Sequence, residues 1–463
     1  MKVLHLTLGL PQIRNGGLSR YSYDLAIAEK KLGVEVALLY PGNIDLINKN
    51  SRIVEKKNVG VKAYKLVNPE YVPIPLGIGN PELFLKHHDI EPFKKFIEKI
   101  QPDYVHIHSF MGFPIEYFRY MKACEIKTVY TTHDYYAICL RTSLINNQNK
   151  NCEGPSAEGC AYCNYGFNNS SFMQFVLQSE WYPKIKNSKL IGCIKNKRAK
   201  EKNDSEGLKQ VCSYEMTSRD YSNYAALLEQ KKGLLEGIDL IHFNSTVAQQ
   251  IYKKYISNNS EFVVQNITTE GLVDNRNKIR KYKNTNKVQW NIGFIGTSGF
   301  HKGAWMLIGA AKILNEKGFD FLVHFYGDEY GIVDKYSFCR EHGTYNHANI
   351  ANIMNELDFL VVPGFCYETF GFTAIEGLAN NVLVLVSNRV GARDLFEGTK
   401  AMHVFSPTSE ELAKMLENYF LSENIYFDAL DEQRLIAFDF DMQNHAIKML
   451  ELIENKLKVK RTN

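Results

Sequence analysis

No apolar run in this 463-residue chain approaches the eighteen or so residues that a bilayer-spanning helix needs, which argues against a helical membrane protein. Nor is there a strong excess of one charge: 55 Lys and Arg face 51 Asp and Glu, for a net charge of +4. So mild a balance gives no footprint for nucleic acid, and no nucleic-acid partner is expected. No secretory leader is expected either. The start, Met1 to Leu8, is interrupted by His5 and Thr7 and soon reaches Arg14, so it reads as a first strand. A cytoplasmic protein is expected, and its nine cysteines then read as reduced thiols or metal ligands, not as disulfides.

What is present is an ordinary globular composition, 45% apolar and 23% charged, on a chain too long for one core. Strand-like and helix-like patterns alternate in two series. The first includes Val3–Leu8, a helix from Gly17, Val34–Leu39, Tyr104–His108, Lys127–Thr132 and Leu240–Phe243. A polar stretch from Asp274 to Lys287 follows and reads as a linker. The second series starts at Val288. It includes a helix over Ala304–Lys317, a strand over Phe321–Phe325, and strand, helix and strand from Phe359 to Val386. The expected fold class is α/β: two Rossmann-like, doubly wound parallel-sheet domains facing a cleft. The expected domains are 1–273, with a helical insert at about 164–223, and 288–440 beyond the 274–287 linker. A last segment, 441–463, carries a helix packing back on the first domain. In such sheets ligands bind beyond the carboxyl ends of the strands.

The most informative segment is Glu368-Thr-Phe-Gly-Phe-Thr-Ala-Ile-Glu376. It follows the strand-like Phe359–Pro363 and leads into a helix. Gly371 lets backbone approach a ligand closely, and the helix start offers N–H groups and partial positive charge to a phosphate. A carboxylate on either side of a phosphate cradle would repel the phosphate, so the two glutamates suit hydroxyls. Ribose at one end and a sugar ring at the other describe a nucleotide-sugar site. Two glutamates at this spacing also arise by chance. The reading gains weight from a second phosphate-type loop, Gly296-Thr297-Ser-Gly-Phe-His-Lys302-Gly303, after the first strand of the second domain. There Lys302 offers a mobile point charge for a diphosphate. In the first domain, Gly16-Gly17 lies between strand and helix, and His133-Asp134 ends a buried strand.

The order and content of these motifs resemble the retaining glycosyltransferases of family four, the "group one" family with the GT-B fold. The matching segments are the Gly16-Gly17 loop, His106-Ile-His108, Thr131-Thr-His133-Asp134, Asp239 to Ser245, Gly296 to Gly303, and Tyr367 to Glu376. The resemblance implies that Glu376 binds the donor ribose and Glu368 holds the transferred sugar near its reacting carbon. It implies that the backbone of Phe370, Gly371 and Phe372 meets diphosphate and sugar, and that Lys302 neutralises the leaving diphosphate. Gly17 would approach phosphate or acceptor, and His133 would contact the sugar. It also implies retention of configuration with no catalytic cofactor or metal. The chain departs from the family pattern at Thr297, where an Arg is usual, so His301 or another Arg has to substitute or phosphate binding is weaker.

Cys139, Cys152, Cys160 and Cys163 cluster, the last two at Cys-x-x-Cys spacing. A structural zinc and unligated thiols are both open readings. A Lys-rich stretch from Lys184 to Lys202, inside the insert, reads either as a solvated face or as a peripheral membrane contact. The expected function is sugar transfer from a nucleotide-sugar donor to a glycan or lipid-linked acceptor in bacterial cell-envelope polysaccharide synthesis, at the inner face of the plasma membrane. UDP-sugars are favoured as donors and GDP-sugars come next. The alternatives are another GT-B activity such as a sugar-nucleotide epimerase, or a silent nucleotide-sugar-binding scaffold.

Overall fold

The computed structural model describes residues 1–14, 16–73, 77–164, 175–176, 178–179, 217–256, 260–278, 289–328, 330–331 and 335–459. Backbone contacts divide the chain into two units. The first holds Met1–His242, Tyr252–Val263 and Ala446–Asn463, and the second holds Phe243–Ile251 and Val264–His445.

The first unit is built on β1 (Lys2–Leu6), β2 (Glu35–Pro41), β3 (Arg52–Lys56), β4 (Lys62–Val67), β5 (Tyr104–Ile107), β6 (Lys127–Thr131), β7 (Leu240–Phe243) and β8 (Glu261–Val264). Their order across the sheet is β3-β4-β2-β1-β5-β6-β7-β8. β1 lies parallel to both β2 and β5, and the parallel pairing continues from β5 to β6 and from β6 to β7. These strands are almost entirely buried, as parallel strands covered on both faces must be. Only β3 is mostly exposed; it is a charged edge strand that pairs antiparallel with β4. The core joins Val3, Leu38, Tyr104, Val129 and Leu240 to Met449, Leu450, Ile453 and Leu457 of the helix Met442–Leu457.

The insert read over 164–223 ends differently from that expectation. Residues 218–223 open a 19-residue helix, Ser218–Glu236, that buries Tyr224, Leu227, Leu234 and Leu235 in the first unit. A capping box starts it: Thr217 accepts from the Asp220 amide, and the Asp220 side chain accepts from the Thr217 amide. The Lys184–Lys202 stretch lies outside the described residues.

The second unit carries β9 (Trp290–Ile295), β10 (Phe321–Tyr326), β11 (Cys339–Gly343), β12 (Phe359–Val362), β13 (Leu383–Ser387) and β14 (Val404–Phe405), in the order β11-β10-β9-β12-β13-β14. All of these pairings are parallel. Its core is aromatic. Trp290 lies flat on Phe420 at 5.5 Å, and Phe359 and Tyr426 meet it at steeper angles. The polar stretch read as a linker is tied down at its beginning. The Asn275 amide donates to Ala379 O at 2.7 Å and Arg276 Nη1 donates to Ile436 O at 2.5 Å. Residues 279–288 lie outside the described residues.

Candidate functional site

In the second unit, the carboxyl ends of the neighbouring strands β9, β12 and β13 carry three loops that interlock. The loop after β9 closes in one 3-10 turn, Phe300–Lys302, and passes through Gly303 into the helix Ala304–Glu316. Gly303 has a φ of 75°, and a Cβ there would lie 1.9 Å from Pro363 O. Only glycine permits this approach of the first loop to the loop after β12. The Phe365 amide then donates to His301 O at 3.0 Å, and Arg389, beyond β13, donates through Nη1 to Phe365 O at 2.8 Å. The Glu368 segment is also laced to the third loop, because Glu368 N donates to Arg389 O and Gly391 N donates to Glu368 O, both at 2.9 Å. Ser245 secures it from behind by donating to Thr369 O at 2.5 Å.

Within this frame Lys302 Nζ donates to Glu368 Oε1 at 2.7 Å, both side chains being partly exposed. Burial acts to lower the Lys302 pKa, but the charge of Glu368 and its hydrogen bond outweigh it, and the net shift is upward. Lys302 therefore stays cationic. His301 is held below the usual histidine range, by burial first and by Lys302 second, so it adds no second charge near neutrality. Burial also pushes the Cys366 thiol up to about 12, which leaves it inert.

Gly371 stands at the start of the helix Phe372–Ala379 with a φ of 101°; a Cβ there would lie 2.6 Å from Val390 Cγ1 and 4.0 Å from Glu368 Oε1. The Lys302–Glu368 pair thus adjoins a helix start with unspent N–H groups, a site suited to an anion. One turn along, Glu376 is 6% exposed and accepts from His347 Nε2 at 2.8 Å. Lys302, Glu368, Gly371 and Glu376 thus share one end of this sheet, and Phe370 and Phe372 flank Gly371 with their rings 5.5 Å apart. Gly296 is half-buried and its carbonyl accepts from Tyr330 Oη at 2.7 Å, whereas Thr297 is exposed.

Two side chains here were missed in the sequence reading. His347 lies in a 3-10 turn far from any motif, and only contact reveals it. Arg389 stacks over Phe365 and Tyr367 at 5.3 and 5.6 Å and is a second cation at the same end of the sheet. A signal for it was available: with Thr297 where the resemblance places an Arg, another Arg was one of the substitutes left open.

In the first unit, His133 follows β6 and is half-buried, with its Nε2 3.2 Å from His108 Nδ1. Burial pushes its pKa down to about 3, so the ring is neutral. The adjacent Asp134 is pushed up to about 6 by burial. Gly17 opens the helix Gly17–Lys31, and both Gly16 and Gly17 are exposed.

The family model "Glycosyltransferase Family 4" matches residues 15–154, and "Glycosyl transferases group 1" matches residues 275–433. This chain belongs to the family four, group one glycosyltransferases. A search of curated proteins found no sequence match. Among solved structures, sucrose-phosphate synthase from Thermosynechococcus elongatus is 13% identical, with a TM-score of 0.58, over 99% of this chain and 100% of that one. Anabaena HepE, solved with UDP and glucose, is 14% identical with a TM-score of 0.54, over 98% and 99%. WaaG, a glycosyltransferase of lipopolysaccharide biosynthesis, is 14% identical with a TM-score of 0.53, over 98% and 99%. At these identities the likeness establishes the fold, which is GT-B: two parallel-sheet α/β domains. No described helix is long and apolar enough to cross a membrane.

The glycosyltransferase's cysteines are gathered but not converged. Cys160 and Cys163 lie one turn apart on the helix Ala157–Asn164. Burial raises Cys139 to about 11 and Cys160 to about 12, with smaller upward contributions from the neighbouring cysteines. Four sulfurs suit zinc chemically. Among the described residues, however, the one group of three potential ligands with donor atoms all within 4.8 Å is His5, His106 and His108, not the cysteines.

Proposed function

We propose that the protein is a retaining hexosyltransferase that moves a sugar from a nucleotide-sugar donor to a glycan or lipid-linked acceptor, with no metal ion at its catalytic centre. The observation that carries this reading is the Lys302–Glu368 pair beside the Gly371 helix start. Sugar transfer builds positive charge on the ring carbon and negative charge on the departing phosphate. Lys302 and the helix N–H groups answer the phosphate, and Glu368 sits where a sugar hydroxyl and the cationic ring are answered. Glu376, oriented by His347, takes the ribose hydroxyls. His133 is a further candidate for sugar contact, and Arg389 supplies the second cation.

UDP-sugars are the first donors to test and GDP-sugars the second; the solved complex of HepE with UDP and glucose supports that order. A bacterial envelope polysaccharide as product, made at the inner face of the plasma membrane, is supported by the shared fold of WaaG. Thermal shift against a set of nucleotide sugars tests the donor, because a ligand bound only by the folded state raises the midpoint. Proton NMR of the product anomer then tests retention, and activity in excess chelator tests metal independence. Midpoints unmoved by every nucleotide sugar would overturn the reading. Stabilisation without transfer to any acceptor would leave a binding scaffold in its place.

A further inference from the structure

Beside the Lys302–Glu368 pair, the second unit leaves a cluster of aromatic rings at its surface. Phe300 and Trp305 are each 39% exposed, and Phe365 and Tyr367 are half-buried. The Phe300 and Trp305 rings lie nearly parallel, with centroids 5.2 Å apart and planes at 14°. Phe365 stands across both, at 73° to Phe300 and 63° to Trp305. Trp305 Nε1 donates to Phe300 O at 3.2 Å, which fixes the plane of the indole. Arg389 extends the cluster by lying over the rings of Phe365 and Tyr367. All five residues belong to the second unit.

The loops that hold these rings also hold the Lys302–Glu368 pair. Phe300 and Lys302 share one 3-10 turn, and Tyr367 directly precedes Glu368. A Cβ on Gly364, next to Phe365, would lie 3.7 Å from Glu368 Oε2. The aromatic surface is therefore as firmly placed as the pair itself, through the same Phe365–His301 and Arg389–Phe365 hydrogen bonds.

Single exposed apolar side chains are ordinary, but three contiguous rings at a strand-end site mark a binding surface. Polar groups border it. Among the described residues the Tyr367 hydroxyl has no hydrogen-bond partner, and Arg389 commits only Nη1 of its guanidinium to a carbonyl. Flat apolar faces beside spare hydrogen-bonding groups suit a ligand that is apolar on one face and polar around its rim. A pyranose ring is built that way: C–H groups cover a face, and hydroxyls surround it. A bilayer interface also attracts Trp, Phe and Arg. It suits this surface less well, because inserted side chains have to project outward, whereas these rings pack on one another and keep most of their area covered.

We propose that Phe300, Trp305 and Phe365, bordered by Arg389 and Tyr367, form a carbohydrate subsite that takes a pyranose ring of the acceptor glycan. This role rests on the reading of the protein as a glycan-directed transferase. On that reading Glu376 takes the ribose and Glu368 the transferred sugar, and the aromatic cluster adjoins Glu368, the end at which an acceptor is needed.

Saturation-transfer NMR of the full chain without donor tests the subsite. The probes are neutral oligosaccharides of glucose, galactose, mannose and N-acetylglucosamine. Wild-type protein should saturate the C–H protons on one face of a sugar ring. Trp305→Ala should weaken that binding by about 3- to 10-fold, the scale of one lost aromatic contact, and Trp305→Phe should restore most of it. Thermal shifts with nucleotide sugars should be equal in the three proteins, since none of these rings is assigned to the donor. Phe300→Ala stands in if Trp305→Ala does not fold. Wild-type protein that binds none of the oligosaccharides would overturn the subsite, as would a folded alanine variant that binds them as well as the wild type. Trp305-dependent binding to phosphatidylglycerol vesicles, with none to oligosaccharides, would overturn it in favour of a membrane contact. A midpoint raised by a nucleotide sugar in any of these cases leaves the transferase reading standing, so the two fail separately.

Discussion

Lys302 Nζ and Glu368 Oε1 lie 2.7 Å apart, although 66 residues separate them in the chain. Each group holds the other in place before any ligand arrives. On the proposed reading, the cation that answers the leaving phosphate is positioned by the carboxylate that answers the sugar. The two should act as a unit, and the effects of removing them should not add. Lys302→Ala and Glu368→Ala are each expected to lower kcat by roughly 10²- to 10³-fold, the scale of losing one preorganised electrostatic group. The double variant should lose far less than the product of the two. Steady-state kinetics of the three proteins checks this, and simple multiplication of the effects would show that the ion pair has no catalytic meaning.

Gly303 is required for stability and not for chemistry. Its φ of 75° and the 1.9 Å approach of a Cβ to Pro363 O leave no room for alanine. Pro363 O is backbone, so it cannot swing aside. Gly303→Ala should lower stability by about 2–4 kcal/mol, the sum of a left-handed strain and a forced backbone shift. Gly318, at a φ of 80° with open space around it, is the control and should cost only about 1 kcal/mol as alanine. Urea denaturation of the two variants separates the cases.

His347 donates to Glu376 from outside every motif. If Glu376 holds the ribose, this contact is made equally in the ground state and the transition state. His347→Ala should therefore raise the KM for donor several-fold and leave kcat nearly unchanged. A fall in kcat at constant KM would place Glu376 at the reacting carbon instead.

Much of this was legible from the chain because parallel strands buried on both faces write themselves as uninterrupted apolar runs. Tyr104–Ile107 and Phe359–Val362 are examples. The strand β3, Arg52–Lys56, carries charges on an exposed edge and hides in the same reading. The helix Ser218–Glu236 was half absorbed into the insert because its mixed face carries little periodic signal, while its capping box lay unused in Thr217 and Asp220. At the candidate site, glycine and carboxylate spacings pointed to Glu368, Gly371 and Glu376, since backbone approach and a helix start are local properties. Arg389 and His347 come from separate loops, and only folding brings them to the same strand ends.

The four clustered cysteines are proposed as a structural zinc site, with the sulfurs drawn inward from their present spacing. The purified protein should then carry about one zinc per chain by elemental analysis, and Cys160→Ser should reduce it. Four thiols titrating freely in native, zinc-free protein would end that proposal. Because the thiols of Cys139 and Cys160 are held protonated near pH 7, zinc uptake should release protons and weaken as pH falls.

Glu70 and Lys231 are buried in the first unit, 6% and 5% exposed, and Lys231 Nζ sits 3.4 Å from the centre of the Tyr136 ring. Burial lifts Glu70 to about 7, against a smaller opposing pull from Lys231, and burial lowers Lys231 to about 8. The signs follow from proton linkage. Folded Glu70 holds its proton more tightly than the unfolded chain does, so the stability it adds is present in acid and lost as pH rises from the ordinary carboxyl range to about 7. Lys231 acts the other way: the unfolded chain holds that proton more tightly, so stability recovers as pH climbs from about 8 toward the ordinary lysine range. Stability should therefore dip between about pH 7 and 8. Glu70→Gln removes the first limb. Melting midpoints measured from pH 5 to 7 should fall in the wild type relative to E70Q, by an amount on the order of 2 kcal/mol at full extent. Parallel profiles for the two proteins would mean that Glu70 titrates as it does in the unfolded chain, and that the charge on Lys231 is answered by Asp134 alone.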